Sequence, residues 1–243
     1  MPEHELWLTK LFNNYLAGIG NAALSVAGKA AELRPWANFV TMQILVAAII
    51  IVLFAILKPR LNPENPGRLQ HTFELIHEFL SGQAEEQVGH RGHRFVAYFG
   101  TIFVFILFSN LLGIIPGFES PTMFPSVPAG CAAATFFYYN AVGIQANGVF
   151  KYLAHFAGPM PLLAPVMIPI EIASHLARPL SLTIRLFANM YAGEQVTLVF
   201  LSLTYLVVPA VFMGLHVFVS LLQAYIFMLL TMMYVAGATA QEH

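Results

Sequence analysis

The stretch QVTLVFLSLTYLVVPAVFMGLHVFVSLLQAYIFMLLTMMYVAGATAQ, Gln195 to Gln241, runs for 47 residues without one charged side chain. As a single straight helix it would be about 70 Å long at ~1.5 Å per residue, more than twice the ~30 Å hydrocarbon thickness of a bilayer. It must therefore turn back or lie strongly tilted. The turn is expected at Pro209, because proline removes a backbone donor and disfavours helix in the residue before it.

The rest of the chain shares this character. Of 243 residues 58% are hydrophobic and 9% charged, with net charge −1, and the mean hydropathy is +0.71. A soluble domain needs roughly a quarter of its residues charged. The reading is an all-α, polytopic integral membrane protein forming a single membrane domain over 1–243. Further charge-free windows place spans at Pro35 to Leu57, Phe95 to Phe118 and about Val127 to Gln145. A fourth apolar region, 162–200, carries Glu171, Arg178, Arg185 and Glu194. That makes about five crossings, the last of them within the charge-free window that must turn back or tilt.

Residues 1–34 begin Met-Pro-Glu-His-Glu and lack the apolar core of a signal peptide, so they are expected to form an exposed amphipathic lead-in. Lys58 to Arg94 holds five of the Lys and Arg residues, the next turn none, and the one after only Lys151. The positive-inside rule then makes 58–94 a cytoplasmic loop, the N-terminus external and the C-terminus cytoplasmic. Within that loop Leu69, Phe73, Ile76 and Leu80 recur at helical spacing among Glu74, His77 and Glu78, which predicts a short amphipathic helix in the membrane interface.

Soluble-type catalysis is not indicated: there is no Gly-rich phosphate loop, no Gly-x-Ser-x-Gly, no His-Glu-x-x-His and no aspartate. The single Cys131 excludes a disulfide framework, and the absence of a basic cluster argues against nucleic acid. His71, His77, His90 and His93 match no standard metal spacing, and His4, His155 and His243 carry no pattern. No metal or cofactor is expected.

Charge inside an apolar span is informative, because an Arg at the bilayer centre costs ~2.5–3.5 kcal/mol even on the lenient insertion scale. Projected at 100° per residue, Glu171, Ser174, His175, Arg178, Ser181, Arg185 and Asn189 fall within a stripe about 120° wide. Such a stripe must face water or a polar partner. Arg178, before Pro179 near a membrane edge, is the weaker functional candidate because its side chain is able to snorkel there. Glu194 projects about 140° from Glu171, into a separate polar environment. His216, Ser220, Gln223, Phe227 and Tyr234 lie within about 40° of one line on the last span, so Glu194 and His216 form a candidate proton relay leading to an amide.

The run RPLSLTIRLFANMYAGE, Arg178 to Glu194, resembles the signature of subunit a of F-type ATP synthases. FSNLLGIIPGF at 108–118, SPTM at 120–123 and His216 seven residues before Gln223 add to the resemblance, which covers nearly the whole chain after about residue 36. Ala188 stands where many relatives have glycine, and His175 adds a titratable group to the stripe. The resemblance implies that Arg185 is the stator arginine facing the c-subunit ring. It implies an external half-channel of Glu194, His216, Gln223 and Asn189, and a cytoplasmic one of Glu171, Ser174 and Ser181. It further implies a steeply tilted rotor-facing hairpin over 162–241, peripheral-stalk b subunits and the rest of the synthase as partners, a bacterial plasma (inner) membrane location, and no chemical step in this chain.

The physics agrees with that resemblance. A rotor carboxylic acid must be neutral against lipid and lose its proton at the stator, and a fixed guanidinium favours the ionised form. Placed between two aqueous half-channels, it also repels a proton attempting to pass straight through. Each proton crossing 100 mV yields ~2.3 kcal/mol. The alternative is a secondary transporter or polar-cored membrane enzyme using the same stripe for a small solute, for which an inverted repeat would be expected; none is visible in the sequence.

Overall fold

The computed structural model describes residues 5–26, 28, 30, 32–62, 67–89, 92–115, 117–149, 152, 164–203 and 207–239. Among these, every regular element is helical: α1 (Trp7–Tyr15), α2 (Ala17–Val26), α3 (Asn38–Leu57), α4 (Arg68–Val88), α5 (Val96–Leu112), α6 (Ser126–Asn147), α7 (Ala164–Leu203) and α8 (Val207–Thr239). Short 3₁₀ turns at Lys58–Arg60, Gly92–Phe95 and Pro121–Met123 join or precede the longer helices.

Three segments are long and apolar enough to cross a membrane on composition alone, Asn38–Leu57, Gly92–Leu112 and Ala210–Thr239. With 40 and 33 residues, α7 and α8 would be about 60 and 50 Å long, so they cross ~30 Å of hydrocarbon only at a steep tilt. The outer surface is apolar. Ile51 and Val52 on α3, Leu176, Leu180 and Ile184 on α7, and Leu215 and Phe218 on α8 are all exposed, as suits a surface solvated by lipid or covered by neighbouring helices. The chain is a multi-pass membrane protein.

Helix α8 is the centre of the bundle, packing against α4, α5, α6 and α7, while α3 lies at the edge against α5. The reason is legible in its spacing: Ala224, Met228 and Met232 recur every four residues, as do Phe227, Thr231 and Val235, and all are buried. They join Phe99 and Ile106 of α5, Tyr139 of α6, and Leu182, Leu186 and Met190 of α7 in one core.

Several boundaries differ from expectation, each for a local reason. The second span ends at Leu112 rather than Phe118, because Gly113 turns against Ser120; a Cβ there would lie 2.7 Å from the serine side chain. Pro209, expected at the turn of the last window, is instead helical within α8. Residues 204–206, between α7 and α8, lie outside the described ones. Pro169 and Pro179 are accommodated inside α7.

The lead-in folds onto the start of α3. The Thr9 and Thr41 hydroxyls meet at 2.8 Å, Asn13 accepts the Trp36 backbone N–H at 2.9 Å, and the Trp36 indole donates to the Leu16 carbonyl at 2.9 Å. The helix of the 58–94 loop is 21 residues long, not short. It is also more than interfacial. Leu80 and Ala84 are buried, Phe79 packs on Tyr225 of α8 at 5.8 Å between ring centroids, and the Tyr225 hydroxyl donates to Gln83 at 3.1 Å.

Candidate functional site

Helix α7 carries the polar stripe, and the bundle divides it lengthwise. His175, Leu182, Leu186 and Met190 form a buried line, so the adjoining edge bearing Ser174, Ser181 and Arg185 faces outward. Arg185 is exposed and makes no hydrogen bond or ion pair with any described residue. Around it the outward face is low, with Ala177, Ser181, Ala188 and Ala192 all exposed. The hydroxyls of Ser181 and Thr183 return to the α7 backbone, donating to the Arg178 carbonyl at 3.0 Å and the Pro179 carbonyl at 2.8 Å.

On the N-terminal side of Arg185 the polar groups satisfy one another. The Glu171 carboxylate lies 3.3 Å from His175 Nε2 and 4.0 Å from the Arg178 guanidinium. His175 Nδ1 is 3.0 Å from the Tyr139 hydroxyl of α6. Arg178 takes up contacts within the bundle. Its guanidinium turns into the bundle, 5.8 and 5.3 Å from the ring centroids of Tyr139 and Tyr234, because an ion pair and two aromatic faces offer what a distant headgroup region would.

The C-terminal side is different. Asn189 donates to Gln223 of α8 at 2.8 Å, so the α7–α8 seam gathers both amides. One turn on, the His216 ring lies against the α7 backbone at Gly193, where a Cβ would be 3.4 Å from the ring. Glu194 Oε2 and His216 Nε2 are both buried without a hydrogen-bond partner, and no hydrogen bond or ion pair joins the two residues. Buried carboxylate and imidazole atoms in this condition are places for ordered water.

Sequence reasoning missed a polar network that reaches the same seam from the α5–α6 connection. Thr122 donates to Asn110 at 2.6 Å, Asn110 donates to the Ser220 carbonyl of α8 at 3.3 Å, and the Ser120 hydroxyl bonds to the Ser109 carbonyl at 3.0 Å. Ser109 Oγ is a third buried atom without a partner. Their signal was present in the quoted runs 108–118 and 120–123, as hydroxyls and an amide within apolar sequence. Tyr139 went unremarked because a tyrosine in an aromatic-rich span carries no spacing signal. Among the described residues no three His, Cys or Glu side chains converge on a possible metal site. His4, His90, His155, His243 and Lys151 lie outside the described residues.

The fit at Gly193 is testable. Alanine there meets His216 at ordinary contact distance and should leave the amount of folded chain in the membrane unchanged. Leucine must displace the ring, and overpacking of this kind costs about 1–3 kcal/mol. Immunoblot yield and thermal stability of the detergent-solubilised chain for Gly193→Ala and Gly193→Leu check the pair; equal stability would contradict the packing.

Comparison with known proteins agrees with this architecture. The profile of the family described as ATP synthase A chain matches residues 40–236. The chain is 76% identical over 233 residues to ATP synthase subunit a of Solibacter usitatus, covering 96% of this chain and 100% of that one. It is 49% identical over 245 residues to ATP synthase subunit a of Koribacter versatilis, covering 100% of each, and 41% identical over 207 residues to that of a Sulfurihydrogenibium species, covering 84% and 98%. With the charged tilted helix, the C-terminal hairpin and these matches in hand, the chain belongs to the ATP synthase A chain family.

Proposed function

We propose that this chain is the proton-translocating stator subunit a of an F-type ATP synthase, with two offset half-channels separated by Arg185. The observation that carries the reading is the arrangement along α7: an exposed, unpaired arginine with one polar region on either side. Glu171 lies 14 residues before Arg185 and Glu194 nine after it, about 21 and 14 Å along the helix axis. On a steeply tilted helix these regions approach opposite faces of the membrane without meeting.

Glu194, His216, Gln223 and Asn189 form the external half-channel, with water linking Glu194 to His216. Glu171, Ser174 and Ser181 line the cytoplasmic one. The low outward face around Arg185 receives the c-subunit ring, whose carboxylic acids must approach the guanidinium closely to lose their protons. No chemical bond is made or broken in this chain beyond proton transfer. The peripheral-stalk b subunits and the remaining synthase subunits complete the assembly, in a bacterial plasma (inner) membrane with the N-terminus outside and the C-terminus in the cytoplasm.

Arg185→Ala should abolish ATP-driven proton pumping while the complex still assembles, and Arg185→Lys should rescue poorly because a lysine loses its charge more readily on burial. Normal proton-coupled synthesis in assembled Arg185→Ala complex would refute the role. Access is checked by thiol labelling in a Cys131→Ala background. Cysteines at 194, 216 and 223 should react with a membrane-impermeant reagent from outside and those at 174 and 181 from the cytoplasm; reaction of both sets from one side alone contradicts two half-channels. For the relay, passive proton flux per assembled complex should fall in both Glu194→Gln and His216→Ala. The double variant should lose little more than the worse single one, because members of one network are not additive. Wild-type flux in both single variants removes the relay.

A further inference from the structure

We propose that His175 is a positioning residue of the cytoplasmic half-channel, a ring bridged between Tyr139 and Glu171 that holds the Glu171 carboxylate and makes proton release sensitive to cytoplasmic pH. The proposal rests on the reading that Glu171 lines that path. His175 is 8% exposed and belongs to neither half-channel as assigned above, yet both its nitrogens are engaged: Nδ1 with the Tyr139 hydroxyl at 3.0 Å and Nε2 with Glu171 Oε1 at 3.3 Å.

A hydroxyl both donates and accepts, and this gives the bridge two states. When Tyr139 donates to Nδ1, the neutral ring carries its proton on Nε2 and donates it to the carboxylate. When the ring is an imidazolium, Nδ1–H donates to Tyr139 and Nε2–H still donates to Glu171. Neither contact is lost on titration; only the charge beside Glu171 changes. The groups facing the ring include Tyr139 from α6, Glu171 and Arg178 from α7 and, beyond Arg178, Tyr234 from α8. Tyr152 lies one step out, its hydroxyl donating to Asn140 at 2.7 Å. Among these side-chain types only imidazole ordinarily titrates near neutral pH. With the ring neutral, Glu171 and Arg178 balance. With it protonated, the carboxylate sits between two cations and is held more tightly in its ion pair, less free to move along the path.

The test is proton flux through the assembled synthase in inverted membrane vesicles at constant driving force, normalised to assembled complex and recorded against cytoplasmic-side pH. Wild-type flux should fall as that pH drops through the imidazole range. His175→Gln, which keeps a polar contact but cannot titrate, should flatten that limb, and Tyr139→Phe should displace it along the pH axis. Glu171→Gln should lower flux at every pH, by roughly tenfold if one charge-assisted contact is lost from the path. A wild-type profile in His175→Gln overturns the proposal. Where that variant does not assemble, Tyr139→Phe decides: a displaced limb supports the bridge and an unmoved one overturns it. Reduced flux in Glu171→Gln beside wild-type profiles in the other two removes His175 alone. Wild-type flux in Glu171→Gln removes the half-channel reading of Glu171 and this proposal with it.

Discussion

The cost of placing ionised groups in hydrocarbon governs this molecule. Helix α7 carries Glu171, Arg178, Arg185 and Glu194 within a segment flanked by apolar sequence, and lipid satisfies none of them. Part of what packs against α7 answers that demand. Helix α6 brings Tyr139 to His175, and α8 brings Gln223 to Asn189 and the His216 ring to Gly193. Among the described residues Arg185 faces outward without a hydrogen-bond or ion-pair partner. A guanidinium left so in a membrane needs a counter-charge or water supplied from beyond the chain, which is why its exposure bears on function more than its presence does.

Length works together with charge. Helices of 40 and 33 residues exceed what a perpendicular crossing uses, and the tilt they must adopt spreads the polar groups of α7 laterally as well as in depth. An upright helix would stack the same residues in one column, and a continuous wet column would leak protons. Under the proposed function the tilt is what separates two access paths on a single helix, with the arginine between them.

Much of this was legible in the sequence because the bilayer imposes a length scale and a charge penalty that need no tertiary knowledge. The all-helical class and a first span, read as Pro35 to Leu57 and found as a helix over Asn38–Leu57, followed from composition and charge-free windows alone. Boundaries were less legible where tertiary contact decides them: the second span stops at Leu112 because Gly113 abuts Ser120, which no periodicity announces. Pro209 misled as a marker of the turn because proline is equally at home in a helix's first turn. The 100° projection groups the polar residues of α7 in one stripe, but which edge of it is buried depends on where α6 and α8 lie, so no periodicity announces that Arg178 lies over two tyrosine rings. The Thr122–Asn110–Ser220 network was missed for a related reason: its hydroxyls and amide stand out within apolar sequence, but each looks like an isolated small polar residue until the fold brings them to α8.

The two polar regions of α7 solve one problem in opposite ways. Before Arg185, Glu171, His175, Arg178 and Tyr139 close on one another, and among the described residues none of their side-chain polar atoms is buried without a partner. Beyond it, Glu194 Oε2, His216 Nε2 and, across α8, Ser109 Oγ are buried and unpartnered. A network closed on itself gains rigidity and fixes its charges, whereas an open one holds water and lets protons change hands. The sequence places the closed network beside a proline that deprives the His175 carbonyl of its helical donor. The open network faces a glycine that lets a histidine ring lie against the helix backbone. On the proposed reading this asymmetry sets the two paths apart. Proton entry through the open seam depends on how water fills it, while release past the closed cluster depends on the charge state of side chains that already hold one another, so the two limbs respond to different chemistry on the two sides of the membrane.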